Sequence, residues 1–337
     1  MPRWRRPDSM QPKGGPRLLI TDREGALLLE RARVHVENGR ILYHAADDDR
    51  QREFNIPHAN LAVLFLGQGT SITQEAMRML GDEGVHVAFT GTGGTPLHMG
   101  ALTTYVATRH FRELLPIYLD PALSLAAARV VMGHRADRVS GIGGKLAMKF
   151  LRVRQTDELS RLGRRLKDDV AAAADNAALL GYEGQYSKQC YACFARMAGF
   201  GKDTTFIREA GAGEPGGAID PIRLVNRLID HGNYLCYGIA GAALWALGIP
   251  PHLSVFHGKT RAGGLVFDLA DSFKDALVLP LAFAEARSRD RSEAEGRFRD
   301  RMIDAFNDHA ILAAAILTVN EMLAVGQSDT PQAGRDA

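Results

Sequence analysis

At 337 residues, 46% hydrophobic and 24% charged, the chain has the composition of a soluble globular protein with room for two domains that have cores of their own. Three cysteines, Cys190, Cys193 and Cys236, exclude a disulfide framework, and the one CxxC, Cys190 and Cys193, has no second pair to complete a zinc site. The net charge of +2 is unevenly spread: residues 129–167 hold eleven Lys/Arg against three acids, a local +8 that leaves −6 elsewhere. That concentration suggests a polyanion footprint, with a solvated basic helix face as the plainer alternative.

In chain order, residues 1–16 are basic and rich in Pro and Gly, with no apolar run of the kind a secretory signal needs. They read as a disordered extension, and free thiols then fit a cytoplasmic protein. From Arg17 the pattern alternates with period two. Asn38-Gly39 sits between two β-rich runs and predicts a type I′ hairpin, because that turn needs positive φ at both central residues. A strand near 60–66 follows, then a helix to about Leu80 with Ser71 and Gln74 as its capping box, then a strand at 85–89. The glycine pattern after Gly67 lacks the third glycine of a dinucleotide fingerprint, since position 72 is Ile, and no phosphate-binding P-loop exists.

Beyond residue 100 the chain turns Ala- and Leu-rich with helical periodicity. Helices are expected near 101–113, 121–135, 142–153, 157–180, 184–199, 219–247, 267–285 and 297–324, with a Gly-rich loop at 201–217 and a disordered tail from 326 to 337. The apolar run 234–249 is too short to span a bilayer and stops at Pro250-Pro251, so no membrane segment is expected. Tyr234 and Trp245 in it read as core. The predicted class is α+β: a small β-rich domain over 17–100, then a larger all-α domain over 101–325.

The chemistry concentrates at 257–275. His257 and a loop carrying Lys259 and Arg261 precede Asp268 and Asp271, which share a helix face at i and i+3. Phe273 and Leu277 fall opposite and would bury that helix. Two carboxylates and an imidazole beside basic residues can hold a hard divalent cation next to a phosphate. The bland alternative is a solvated acidic face and a loop histidine. Among further acids Glu183, at a Gly-flanked junction between helical segments, is the best candidate, with Glu209 and Glu214 competing.

The string from Asn226 to Tyr234, Tyr237-Gly238, Leu247 to Pro250, and the run from His257 through Asp271 resemble the CRISPR-associated spacer-acquisition integrase family, in its type I-F branch. Asn55-Ile56-Pro57 and the run from Leu66 to Thr73 extend the resemblance, which covers roughly Leu19 to Leu281. It implies a dimerising N-terminal β domain, hence a homodimer, and a helical catalytic domain with a divalent-metal site. By motif position the metal ligands are Glu183, His257, Asp268 and Asp271, with Mg²⁺ or Mn²⁺ as the ion. The implied activity is insertion of short double-stranded DNA at a repeat by 3′-hydroxyl transesterification, with hydrolysis as a side activity. The implied partner is the small second adaptation protein, fused in type I-F systems to the interference helicase–nuclease. Lys145, Lys149, Arg152 and Arg154 are expected to track the duplex backbone, Lys259 and Arg261 to hold flanking phosphates, and Arg227 and Tyr237 to steady the DNA end. The competing readings are a transposon-encoded integrase and a metal-free DNA-binding scaffold.

Overall fold

The computed structural model describes residues 24–45, 53–90, 96–99, 108–200, 206–209, 220–258, 263–288, 290–291 and 293–327. The expected extension over 1–16, most of the tail and of the Gly-rich loop, Glu214, Lys259 and Arg261 lie outside these residues. All described strands fall between residues 24 and 99, and every described element from Arg109 onward is helical.

Strands β1 (Glu24–Leu29), β5 (Leu61–Leu66), β7 (His86–Thr90) and β8 (Pro96–Met99) form one sheet in that order, with β8 antiparallel to a parallel core. Strand β5 is buried at every position, as a parallel strand covered on both faces must be. Leu64 and Leu66 face a small core shared with the second sheet, while Val63 and Phe65 join the large core of the helical part. The second sheet runs β4 (Phe54–Asn55), β3 (Arg40–Ala45), β2 (Ala32–Glu37) and β6 (Ser71–Ile72). Its β2–β3 hairpin turns on Asn38 and Gly39 at φ of 50° and 73°, as their sequence predicts.

Helix α1 (Gln74–Asp82) is capped by Thr73, whose hydroxyl accepts from the Ala76 amide, and not by Ser71. Ser71 is drawn instead into β6 against Arg33, which moves the helix start two residues on.

Helices α2 (Arg109–Leu119) and α3 (Pro121–Arg138) meet at Asp120, which caps α3 through the amides of Ala122 and Leu123. The expected separate helix at 142–153 is instead a continuation of α3. It passes through π-helical turns Val139–Gly143 and Ala147–Leu151 on either side of α4 (Gly144–Leu146), because no proline or cap interrupts it. Helix α5 (Asp157–Ala172) ends earlier than expected, and Asp175 caps α6 (Asn176–Met197) through Ala178. Gly181 and Gly184 therefore sit within one helix, not at a junction. Cys190 and Cys193 lie on it as buried free thiols.

Helix α7 (Pro221–Ala246) crosses the helical core. A Cβ at Gly232 would come within 2.9 Å of Val278 and Phe298, so glycine sets how closely its neighbours approach. The predicted helix at 267–285 breaks at Ser272-Phe273 into α8 (Gly264–Asp271) and α9 (Lys274–Arg287). The one at 297–324 splits at His309-Ala310 into α10 (Ala294–Asp308) and α11 (Ile311–Ala324), with Ala310 at positive φ. Tyr234 is 36% exposed and Trp245 only half-buried, so neither is a core residue.

The strand-rich and helical parts are stitched along β1. Asn307 of α10 accepts from the Ala26 amide at 2.9 Å and Arg299 pairs with Glu30 at 2.9 Å. Gly25, at φ 43°, leaves the space that Asn307 fills: a Cβ there would lie 1.4 Å from the Asn307 side-chain oxygen. Among the described residues no single helix is long and apolar enough to cross a membrane.

His231 on α7 is buried edge-on against Phe298, and its Nε2 has no partner. Burial, with Arg299 and Arg227 nearby, lowers its pKa to about 4. The unfolded chain then holds the extra proton between about pH 6.5 and 4, so stability is intact above that window and falls as pH drops through it. Urea unfolding at pH 7 and pH 4.5 should show a loss of a few kcal/mol that is smaller in His231→Gln. Equal losses in parent and variant would refute the assignment.

Candidate active site

His257 lies in the loop between α7 and α8, and Asp268 and Asp271 lie on α8. The sequence places the two aspartates on one face, but that face is not solvated: they are 0% and 1% exposed. Helix α8 is short and enclosed, with Leu265, Leu269 and Ala270 buried beside them.

Asp268 receives five donors. Its Oδ2 accepts from Ser254 Oγ at 2.8 Å, Val255 N at 2.7 Å and Phe256 N at 3.1 Å. Its Oδ1 accepts from His257 N at 3.1 Å and His257 Nδ1 at 2.7 Å. A carboxylate so engaged has little capacity left to ligate an ion. Its geometry is that of a carboxylate orienting an imidazole, with Nδ1 turned to the carboxylate and Nε2 directed away.

His257 Nε2 faces Asp271 Oδ2 at 3.3 Å, a contact that either a proton on Nε2 or a cation shared by the two groups would satisfy. Asp271 also ion-pairs with Lys274 through Oδ1, yet neither of its oxygens has hydrogen-bond geometry with any partner. Burial pushes its pKa up, but Lys274, Arg135 and His257 outweigh that and hold it below the ordinary carboxylate value.

Glu183, in the interior of α6, is bound through Oε1 by Arg135 Nη1 at 2.6 Å and by Ser187 Oγ at 2.9 Å. Burial raises its pKa and the Asp271 charge adds to that, but Arg135 wins and the net shift is downward. Arg135 is itself buried on α3, with Nε on Asp275 at 2.9 Å and Nη2 on Ser187 at 2.7 Å. Four carboxylates (Glu183, Asp268, Asp271, Asp275) thus face two permanent cations (Arg135, Lys274), leaving two negative charges uncompensated while His257 is neutral. Glu183, His257 and Asp271 are brought to one cluster, although their donor atoms do not all lie within 4.8 Å of one another. Arg135 holds Glu183, and Lys274 holds Asp271.

Lys274, Arg135, Asp275 and Ser254 were not singled out from the sequence. Lys274 lies three residues from Asp271 in the sequence, but the pair forms across the break between α8 and α9, which helical spacing does not reveal. Arg135 lies in the basic stretch and counts there as a surface charge. Arg129 and Arg138 are half-buried, bound to carbonyls of Val170, Ala173, Ser272 and Ala314. The local +8 therefore overstates the outward charge. Lys145, Lys149, Arg152 and Arg154 are exposed along the α4 region and the loop after it. Tyr237 packs edge-on against Phe267 with centroids 4.7 Å apart and lies within electrostatic reach of Lys274. Arg227 is turned toward α10, where its Nε meets Glu295 at 2.6 Å, and joins none of these contacts. Glu209 is also outside the cluster, its amide bound by Asn226.

The molecule is an α+β protein whose helical part buries an undercompensated carboxylate–imidazole centre. The family model described as CRISPR associated protein Cas1 matches residues 26–301. A CRISPR-associated endonuclease Cas1 of Pectobacterium atrosepticum is 34% identical over 318 residues, covering 90% of this chain and 94% of that protein. Another, of Pseudomonas aeruginosa, is 35% identical over 330 residues, covering 94% and 97%. The chain belongs to the Cas1 family of CRISPR-associated proteins. Among solved structures, the TtCas1–DNA complex matches with TM-score 0.56 at 25% identity, covering 89% of this chain and 97% of that one. A casposase bound to integration product shares the fold at TM-score 0.66 and 13% identity, covering 93% and 96%. So does a Cas6-RT-Cas1–Cas2 complex, at TM-score 0.61 and 16% identity over 91% of this chain and 35% of that one.

Asp268→Asn turns an amide NH₂ toward donors that now find an acceptor. It should destabilise the fold by roughly 3 kcal/mol, the scale of several buried hydrogen bonds lost or left unmade, measured by urea unfolding. A loss below about 0.5 kcal/mol would mean that the loop does not depend on this carboxylate.

Proposed function

We propose that this protein is a metal-dependent DNA endonuclease and integrase of CRISPR adaptation, joining the 3′-hydroxyl ends of a short duplex to a repeat by transesterification. The observation that carries this is Asp271: buried, kept ionised by its pair with Lys274, and facing His257 Nε2 across 3.3 Å. Glu183, His257 and Asp271 are the residues that would hold the cation, and Asp268 holds His257 in the required orientation. Carboxylate oxygens with a single imidazole suit Mg²⁺ or Mn²⁺. A bound ion of that kind would polarise the scissile phosphate and acidify the attacking hydroxyl.

The chain's own residues do the rest. Lys274 and Arg135 keep Asp271 and Glu183 ionised in a buried setting, and Asp275 anchors Arg135. Lys145, Lys149, Arg152 and Arg154 hold the duplex backbone without reading its sequence. Tyr237, braced by Phe267, stands beside Lys274 where a DNA end can be steadied. Lys259 and Arg261 flank His257 in the sequence and would hold adjoining phosphates. Arg227, paired with Glu295 of α10, would help to steady the DNA end. The strand-rich domain over 17–100 would pair two copies into a homodimer, and the helical domain over 101–325 would carry the chemistry. The partner would be the small second adaptation protein, in the fused form of type I-F systems.

The fold shared with a casposase favours a second reading, a transposon-encoded integrase. The curated relatives at about one-third identity favour the CRISPR reading. A plasmid carrying a CRISPR repeat and one carrying terminal inverted repeats separate the two by which one accepts the duplex.

Purified protein incubated with Mn²⁺, a labelled duplex bearing free 3′-hydroxyls and the repeat plasmid should yield joined product. Asp271→Ala and His257→Ala should each lower it by at least about 100-fold while keeping the fold. Joining that survives chelation, or an active Asp271→Ala, would refute the metal-dependent reading; duplex binding with no joined product would leave a metal-free scaffold. Replacing Lys145, Lys149, Arg152 and Arg154 with Ala should flatten the log-affinity against log-salt slope by about 3 to 4. An unchanged slope would place the duplex elsewhere.

A further inference from the structure

We propose a second metal site, for a transition-metal dication of the zinc type, formed by His35, His44 and Glu53 on the outer face of the N-terminal sheet. Among the described residues, these three offer ligand atoms that all lie within 4.8 Å of one another. His35 Nε2 and Glu53 Oε1 are 3.2 Å apart, and the two imidazoles meet edge to face with centroids 5.5 Å apart.

Strand register builds the cluster. His35 stands across from Leu42, and His44 across from Arg33, so the two histidines are diagonal neighbours on one face of the β2–β3 hairpin. Tyr43 pairs with Phe54, and one step further along that register sets Glu53 across from His44. The other face carries Val34 and Ile41, both fully buried. With side chains alternating, that burial fixes His35, His44 and Glu53 outward, and a one-residue slip would destroy core and cluster together.

The donor chemistry is specific. Ligands held 2.0–2.1 Å from a tetrahedral ion lie about 3.3 Å from one another, close to the His35–Glu53 separation. Two imidazoles and one carboxylate make a zinc-type set with a fourth position left for water. The simple alternative is a His35–Glu53 ion pair, which leaves His44 without a role. His35 Nδ1 is buried with no partner, so no hydrogen-bond network of its own aims the ring at Glu53. On the same face Arg33 and Arg40 stand against Glu37 and Glu53, so the charges there balance without an ion and an ion would have to compete on donor chemistry. Glu53 is exposed and lines an open cleft of about 410 Å³ with Glu37, Asn38, Arg40 and Leu42, which gives an ion a route in. This set is nitrogen-rich where the buried centre is oxygen-rich, so the two sites would select different ions. The ion would clip β4, an edge strand of two residues, to β2 and β3.

The test uses the full chain carrying Asp271→Ala, so that the buried centre does not report. After chelation and removal of the chelator, Zn²⁺ is titrated by calorimetry, Co²⁺ by its visible absorption, and Tm is followed with each and with Mg²⁺. One Zn²⁺ per chain, an intense tetrahedral Co²⁺ band and a Tm raised by Zn²⁺ but not Mg²⁺ are expected. Adding His35→Asn with His44→Gln should weaken Zn²⁺ on the order of 100-fold and abolish the band. Its metal-free Tm should match the parent's. Glu53→Gln, at an exposed position, tests the site with least risk to folding and should weaken Zn²⁺ about 10-fold. No Zn²⁺ uptake, or uptake and Co²⁺ spectra unchanged in these variants, would overturn the proposal.

Discussion

A single carboxylate fixes the geometry of the helical centre. Asp268 collects three consecutive backbone amides, from Val255 to His257, together with the Ser254 hydroxyl and the His257 ring. The amides of this loop would otherwise be buried donors with no acceptor, at about 1–3 kcal/mol each. The loop therefore has strong reason to adopt this one conformation. Gly264 assists, since a Cβ there would meet Ser254 at 2.5 Å. Once the loop is held, the imidazole has no freedom left, and Nε2 must point at Asp271.

Holding Asp271 and Glu183 ionised in a buried place requires cations that the fold cannot lose. Desolvating a carboxylate costs several kcal/mol unless it is paired. Lys274 meets Asp271 because the helix breaks at Ser272-Phe273 and restarts, carrying the ammonium back over the preceding turn. Arg135 answers Glu183 and Asp275 together, and Ser187 completes its shell. Compensation stops short of neutrality, as the proposed binding of a further cation would require.

Legibility followed sequence separation. Asn38-Gly39 and the spacing of His257, Asp268 and Asp271 are local, and each was readable. What sequence spacing could not supply was burial. Asp268 and Asp271 look like a solvated face because helical periodicity reports direction but not what lies there, and α8 is enclosed by neighbours far off in the chain. Glu183 looked like a junction residue because of Gly181 and Gly184. Cβ atoms at those positions would meet nothing within 4 Å, so both glycines lie on an open side of a continuous helix and interrupt nothing. Arg135 was the hardest to find: a buried arginine inside a basic stretch is compositionally indistinguishable from a surface one. Only its partners, 48 and 140 residues away, mark it as internal.

The same distinction organises the outer surface. With Arg129, Arg135 and Arg138 turned inward, the exposed charge contracts to a shorter ridge around α4. That ridge is coupled to the centre through α9. Gly143 lies so close to this helix that a Cβ would meet the Ala276 backbone at 3.4 Å and the Phe194 ring at 3.5 Å. Helix α9 begins at Lys274 and carries Asp275, so the segment that fixes the ridge also supplies two groups of the cluster. A duplex resting on Lys145 and Lys149 would meet the centre at a separation set by helix packing, not by a hinge. That is the condition under which phosphate contacts lacking sequence information can still set the position of a reaction.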